Sequence, residues 1–197
     1  MRRLAAVCVL LFCPAIAAAQ NRQPVAGPEA FAGLGVGWLH DDEGSLGRGV
    51  DIGAGIGYRW RGPLAAELQV GRLATSRRFD SGVEFDATLH QLSGRLLHHF
   101  SAGNTEPYVG GAAGFTRFDR RSVFPVVVPG PDGRPMRVGD ERFRRDGVEF
   151  TWGAVAGLRV LSARRVQVQP EFALLITRPS NFVVMSGGVK IRWGIRP

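Results

Sequence analysis

The sequence predicts an all-β fold, an eight-stranded antiparallel up-and-down transmembrane β-barrel, and three observations carry that prediction. The first is alternation. In Val50–Trp60 (VDIGAGIGYRW), Val50, Ile52, Ala54, Ile56, Tyr58 and Trp60 share one parity, and Asp51, Gly53, Gly55, Gly57 and Arg59 share the other. A strand sends successive side chains to opposite faces, so this segment has one apolar face with an aromatic end and one small, charged face. Apolar outside and polar inside is the dyad repeat of a barrel that faces lipid. The second observation is export without a later apolar helix. The third is the rhythm of connections, short turns alternating with generally longer loops.

Export is read from residues 1–19, MRRLAAVCVLLFCPAIAAA. Arg2 and Arg3 form a positive n-region, Leu4 to Phe12 an apolar h-region, and Ala17-Ala18-Ala19 a small-residue cleavage site, with Gln20 the expected mature N-terminus. The apolar run is short for a bilayer-spanning helix, which needs ~20 residues. Both cysteines, Cys8 and Cys13, fall in this segment, so no disulfide or thiol chemistry is expected in the mature chain. Phe12 before Cys13 is too large for a lipid-attachment site. The remaining 178 residues fit one domain. Formal charge is +8 for the whole chain and +6 without Arg2 and Arg3. An exported, arginine-rich chain suits phosphate-rich lipid headgroups or lipopolysaccharide. Export argues against nucleic acid as a partner.

Gln20–Pro28 is polar and reads as a periplasmic lead-in, with the barrel over 29–197. The first strand, Glu29–Leu39, puts Ala32, Leu34, Val36 and Trp38 outward and Phe31, Gly33, Gly35 and Gly37 inward. A polar loop (40–49) leads to the second strand, Val50–Trp60, and 61–63 is a tight turn. In the third strand, about Leu64–Ala74, Leu64, Ala66, Leu68 and Val70 face out and Glu67, Gln69 and Gly71 face in. After a loop at 75–82, the fourth strand (about Val83–Phe100) changes apolar parity between Val83, Phe85, Ala87, Leu89 and Leu92, Leu96, Phe100, which predicts a bulge near Gln91. A turn at 101–106 precedes the glycine-rich fifth strand, Pro107–Phe118.

Residues 119–146 form the longest connection. Val123–Val128 and Met136–Val138 flank a turn-forming run, Pro129-Gly130-Pro131-Asp132-Gly133-Arg134, so the fifth and sixth strands are expected to extend past the membrane as an outer hairpin. The sixth strand, about Gly147–Leu161, sends Phe150, Trp152, Ala154, Ala156, Leu158 and Val160 out and Glu149, Thr151, Gly153, Gly157 and Arg159 in. A turn at 162–164 follows. In the seventh, Val166, Val168, Phe172, Leu174 and Ile176 face out; Pro170 sits mid-strand, where a fully paired sheet disfavours it. A short loop at 178–181 gives the last strand, with Val183, Met185, Val189, Ile191 and Trp193 out and Ser186, Gly188, Lys190 and Arg192 in. A soluble barrel would reverse these parities.

Glu106–Phe118 (EPYVGGAAGFTRF), Val148–Val160 (VEFTWGAVAGLRV), Val166–Leu174 (VQVQPEFAL) and Gly188–Trp193 (GVKIRW) together resemble the eight-stranded outer-membrane β-barrel domain of OmpA-like and OmpX-like porin-family proteins. The resemblance covers about 30–195. It implies placement in the outer membrane of a Gram-negative-type bacterium by the outer-membrane assembly machinery, which reads a last strand that normally ends in an aromatic. Here Trp193 is followed by Gly194-Ile195-Arg196-Pro197, a departure from that pattern. Pro170 matches a proline often found in the family's seventh strand. The chain ends with the barrel, so no peptidoglycan-binding domain is expected.

Eight strands enclose a lumen just wide enough for side chains to fill. Its inward charges are Asp51, Glu67, Glu149 and Glu171 against Arg59, Arg95, Arg159, Lys190 and Arg192. Charges in a closed lumen must be paired or wet, so a salt-bridged plug is expected; a small-solute or ion pore is the alternative. The hairpin offers Arg120, Arg121, Arg142, Arg144 and Arg145 to anionic groups. The expected role is structural or interactive, as a monomer without a cofactor, metal or enzymatic activity, either bracing the envelope or binding lipopolysaccharide or surfaces through outer loops. A lipid hydrolase would draw on His90, Ser93 and Glu84 or Asp86, but these lie in a line on one strand and no GxSxG is present. His98 and His99 are adjacent and point to opposite faces, so metal binding is not expected. The GxGxG within Val50–Gly57 precedes no helix and is not a dinucleotide site.

Overall fold

Alternating side chains shape eight strands: β1 (Gly27–Asp41), β2 (Gly44–Arg59), β3 (Leu64–Arg78), β4 (Glu84–His99), β5 (Thr105–Pro129), β6 (Pro135–Val160), β7 (Val166–Arg178) and β8 (Val183–Gly194). The computed structural model describes residues 26–42, 44–100, 105–132, 134–160 and 166–195. The expected signal peptide (1–19), residues 20–25 of the lead-in, 101–104 of one turn and the turn at 162–164 lie outside the described residues. Each strand pairs antiparallel with the next, and β8 returns to β1 from Glu29↔Gly194 to His40↔Val183, closing the barrel. Gly27 and Pro28, expected in the lead-in, already pair with Arg59 and Tyr58. Beyond β8 the Ile195 N–H donates to the Pro28 carbonyl at 2.9 Å.

The exterior is the apolar face. Leu34, Ile52, Ile56, Leu68, Val70, Leu96, Phe115 and Val189 are all exposed. The shortest strand, β8, has 12 residues; at a rise of ~3.3 Å per residue and a tilt of ~40° it climbs about 30 Å, enough for an apolar band of ~25 Å. Tyr58, Trp60, Phe100 and Trp193 stand outward at the end of the short turns, where amphipathic rings suit the lipid–water boundary. Tyr58 and Trp60 meet edge to face at 5.6 Å. The wall is tightly coiled where β5 crosses β4: a Cβ at Gly114 would lie 1.9 Å from the Leu92 carbonyl oxygen.

β4 corrects one expectation. Its register against β3 and β5 is unbroken through Gln91, and no bulge occurs there. Phe85, Ala87 and Leu89 point inward at the outer end of the lumen, whereas Leu92, Leu96 and Phe100 point outward at the level of the lipid. Apolar parity switches because the apolar environment switches, from the inside of the outer end to the outside of the midsection. The register shifts instead at Leu39/His40 in β1 and Val126/Val127 in β5. Pro170 pairs with Val189 of β8, while the ladder to β6 jumps from Gly157↔Glu171 to Val160↔Val168, so a residue without an N–H sits where the β6 pairing lapses.

β5 and β6 have 25 and 26 residues and stay paired out to Pro129↔Pro135. They form the expected outer hairpin, closed by the Gly130 N–H donating to the Arg134 carbonyl at 2.7 Å.

Candidate functional site: the lumen and the outer hairpin

At the level of the short turns, β1, β2, β3, β5, β6 and β8 place charge on the lumen axis. Arg159 donates two hydrogen bonds to Glu29 at 3.1 and 3.3 Å, and Arg192 donates to the same carboxylate at 2.8 Å. Arg192 also donates to Glu67, and its Nε donates to Gln169 Oε1 at 2.8 Å. Arg59 pairs with Glu106 at 2.5 Å, with His99 Nδ1 3.6 Å from the same carboxylate. Above this, Glu171 receives Arg95 at 2.6 Å and Lys190 at 2.7 Å. Tyr108 Oη donates to Glu171 at 2.8 Å and accepts from Gln169 Nε2 at 2.5 Å, which ties the two levels together. Lys190 and Arg192 also lie over the Phe31 ring, 4.8 and 4.7 Å from its centroid. Gly157 leaves room for this hub, since a Cβ there would be 2.3 Å from Tyr108 Oη.

Arg59, Arg159 and Arg192 are 1 % exposed or less. Such burial of charge is tolerable only with carboxylate pairing, which all three have, although the Nε atoms of Arg59 and Arg159 have no hydrogen-bond partner. Five carboxylates (Glu29, Asp51, Glu67, Glu106, Glu171) face five bases (Arg59, Arg95, Arg159, Lys190, Arg192). Asp51 borders the remaining cavity at mid-barrel with Gln69, Arg95, Glu171 and Lys190; its volume is about 40 Å³, room for a few waters. Above the cavity the lumen turns apolar: Leu39, Leu46, Leu73, Phe85, Leu89, Phe118, Phe182 and Val184 pack as one buried cluster, with Phe118 and Phe182 edge to face at 6.0 Å.

Eight of the nine lumen charges read from the sequence therefore surround this axis. Glu149 does not join them. It points inward above the others and accepts the Ser180 N–H at 3.2 Å and the Ser180 hydroxyl, anchoring the loop after β7. Glu29 and Glu106 complete the network and were not among the expected residues. Extending the β1 alternation two residues back from Phe31 reaches Glu29; Glu106, expected in the turn at 101–106, belongs to β5.

The five hairpin arginines divide between two faces. Arg120 and Arg145 oppose each other on the lumen side, stacked on Phe85 at 4.7 Å and Phe118 at 6.0 Å. They line the outer mouth, a recess of about 440 Å³ shared with Asp41, Asp42 and Phe182. Arg121, Arg142 and Arg144 take the outward face around a recess of about 550 Å³ with Asp86 and Asp119. Arg144 grips Asp119 with two bonds, 3.1 and 2.7 Å, and these bonds, reinforced by the carboxylate charge, raise its pKa above the ordinary value.

The hydrolase constellation is not assembled. His90 is outward and exposed, while Ser93 is inward and buried on the opposite face of β4, so neither can serve the other. His98 is outward beside Phe100 and His99 inward beside Tyr108. Among the described residues no group of three metal-ligating side chains occurs.

An inverted barrel, apolar outside and ion-paired inside, is a transmembrane β-barrel. The chain belongs to the outer membrane protein β-barrel domain family, which it matches over residues 4–182. Its fold is that of solved eight-stranded outer-membrane barrels. Neisserial surface protein A is similar at 13% identity and TM-score 0.61, over 86% of this chain and 97% of that one. Ail, the attachment invasion locus protein of Yersinia pestis, in complex with the heparin analogue sucrose octasulfate, is similar at 8% identity and TM-score 0.54, over 85% of this chain and 97% of that one. No curated relative matches the sequence.

Proposed function

We propose that this protein is a monomeric, non-conducting barrel of the outer membrane of a Gram-negative-type bacterium, placed there by the outer-membrane assembly machinery, and that it works by surface binding through the β5–β6 hairpin. The observation that carries the reading is the contrast between the two ends of the molecule. The lumen holds a buried ion-paired network beneath a buried apolar cluster, which supports the non-conducting reading. The hairpin is long, and its outward face holds three arginines. It also exposes Phe124, Val127, Met136, Val138 and Phe143 beyond the band that faces lipid. Apolar side chains displayed among arginines on a projecting element mark an interaction surface. The ligand chemistry that fits is sulfate or phosphate carried on a surface glycan, since guanidinium forks pair with such groups bidentately.

The test is binding of cells displaying the protein to immobilised sulfated glycan and to purified lipopolysaccharide, with R121Q/R142Q/R144Q as the comparison. Loss of about tenfold in binding to either ligand, with the unboiled gel shift intact, is the expected result. Unchanged binding to both removes the hairpin from the function. A steady conductance of the purified protein in planar bilayers would favour the pore instead.

A further inference from the structure

On the outer wall, three basic side chains lie side by side across three strands. Arg72 of β3 is directly opposite His90 of β4, and His90 is directly opposite Arg117 of β5. All three point outward and are exposed. Opposed residues have Cβ atoms ~5 Å apart, so the two guanidiniums flank the His90 imidazole, one on each side. Neither arginine has a carboxylate within ion-pair distance among the described residues: of the outward acids on the side away from the short turns, Asp119 is gripped by Arg144, Asp146 lies opposite Asp119 and diagonal to Arg117, and Asp86 lies four residues along β4 from His90. The row therefore holds unneutralised positive charge.

Its height is as informative as its charge. One step towards the short turns, the outward residues of the same strands are Val70, Leu92 and Phe115, all apolar and exposed. One step the other way they are Ala74, Thr88 and Asp119. The row thus marks the boundary where the hydrocarbon of the outer leaflet ends and headgroups begin. Ala54 and Val70, one step towards the short turns, and Ile52, directly opposite Arg72, line a shallow groove of about 390 Å³ that Arg72 and His90 border. An apolar groove in a wall facing lipid is filled by a lipid chain, and the basic top selects an anionic headgroup.

We propose that Arg72, His90 and Arg117 bind a phosphate of a phosphorylated, multiply acylated outer-leaflet lipid, the lipid A part of lipopolysaccharide, with one acyl chain in the Ile52–Ala54–Val70 groove. The two guanidiniums fork onto phosphate oxygens and the imidazole N–H donates a third bond. The bound anion neutralises the two guanidiniums. This site is separate from the hairpin and rests only on the barrel's placement in the outer membrane.

The experiment compares purified, detergent-folded protein with its R72Q/R117Q variant, measuring binding of bis-phosphorylated lipid A by native mass spectrometry and the rise in unfolding midpoint that the lipid produces. Wild type is expected to hold the lipid through detergent exchange and to gain in midpoint; the variant is expected to bind about tenfold to thirtyfold more weakly, as two interfacial cations would account for. Equal binding by both proteins overturns the proposal. Equal binding of wild type to lipid A with its phosphates removed overturns it as well, and this arm stands even where the variant fails to fold. If inorganic phosphate competes at millimolar concentration and the dephosphorylated lipid shows no residual affinity, the row is a free-phosphate site and the lipid assignment fails. A variant that still shows the unboiled gel shift yet has lost lipid binding separates failure of this site from failure of the barrel.

Discussion

Arg192 holds two carboxylates at once, Glu29 at 2.8 Å and Glu67, and hydrogen-bonds Gln169 besides. Removing one member of a fully buried ion network leaves its partners charged without compensation, at a cost of about 3–5 kcal/mol. Arg192→Met is therefore expected to lower the urea midpoint of the folded barrel in lipid vesicles sharply. Adding Glu67→Gln is expected to recover part of that loss, because the orphaned charge then disappears; no recovery would mean that Arg192 acts through packing over Phe31 instead. Parity identified Arg192 and its neighbours as inward from the sequence, since alternation is a local property. Their pairing was not legible, because Arg192 and Glu29 are 163 residues apart and meet only through barrel closure. Glu149 shows the same limit from the other side. Its inward direction was readable, but its partner Ser180 lies on a loop whose path no periodicity encodes.

At the scale of elements, a strand is legible where one face meets lipid, as in β8 and the Val50–Arg59 part of β2; the polar Gly44–Gly49 part of β2, expected as loop, is strand as well. β4 was misread because a single strand crosses two environments, and an apolar residue then reports its surroundings and not a fixed face. The β5–β6 hairpin was legible from its turn-forming run between apolar segments. Above the Val123↔Arg142 pair its two strands pair with each other and no longer with β4, whose ladder to β5 ends at Glu84↔Val123. The projecting part thus adds no closure to the barrel, and long surface insertions contribute little to stability either way. Replacing residues 124–141 by a short glycine-containing turn is expected to leave the unboiled gel shift and the unfolding midpoint unchanged. A barrel that fails to fold without this segment would show that the hairpin is part of the scaffold and not an appendage to it.

For the molecule as a whole, the lumen holds two layers of different chemistry in series. The lower layer is the charge-balanced network of Glu29, Asp51, Glu67, Glu106 and Glu171 with its five bases. The upper is the apolar cluster of Leu39, Leu73, Leu89, Phe118 and Phe182. A polar plug alone can be wetted, because its groups hydrogen-bond water as readily as one another; an apolar constriction resists wetting but holds no charge in place. In the proposed non-conducting barrel, the two would block water and ions by independent means. Opening either layer alone is thus expected to leave planar bilayers silent: Arg95→Ala/Glu171→Ala widens the ion-paired level beneath an intact apolar cap, and Leu73→Ala/Phe118→Ala opens the cap above an intact network. Only the four substitutions combined are expected to give discrete conductance steps. If the Arg95→Ala/Glu171→Ala variant conducts by itself, the apolar cluster does not seal the outer end, and the ion network is the single barrier between the two sides of the membrane.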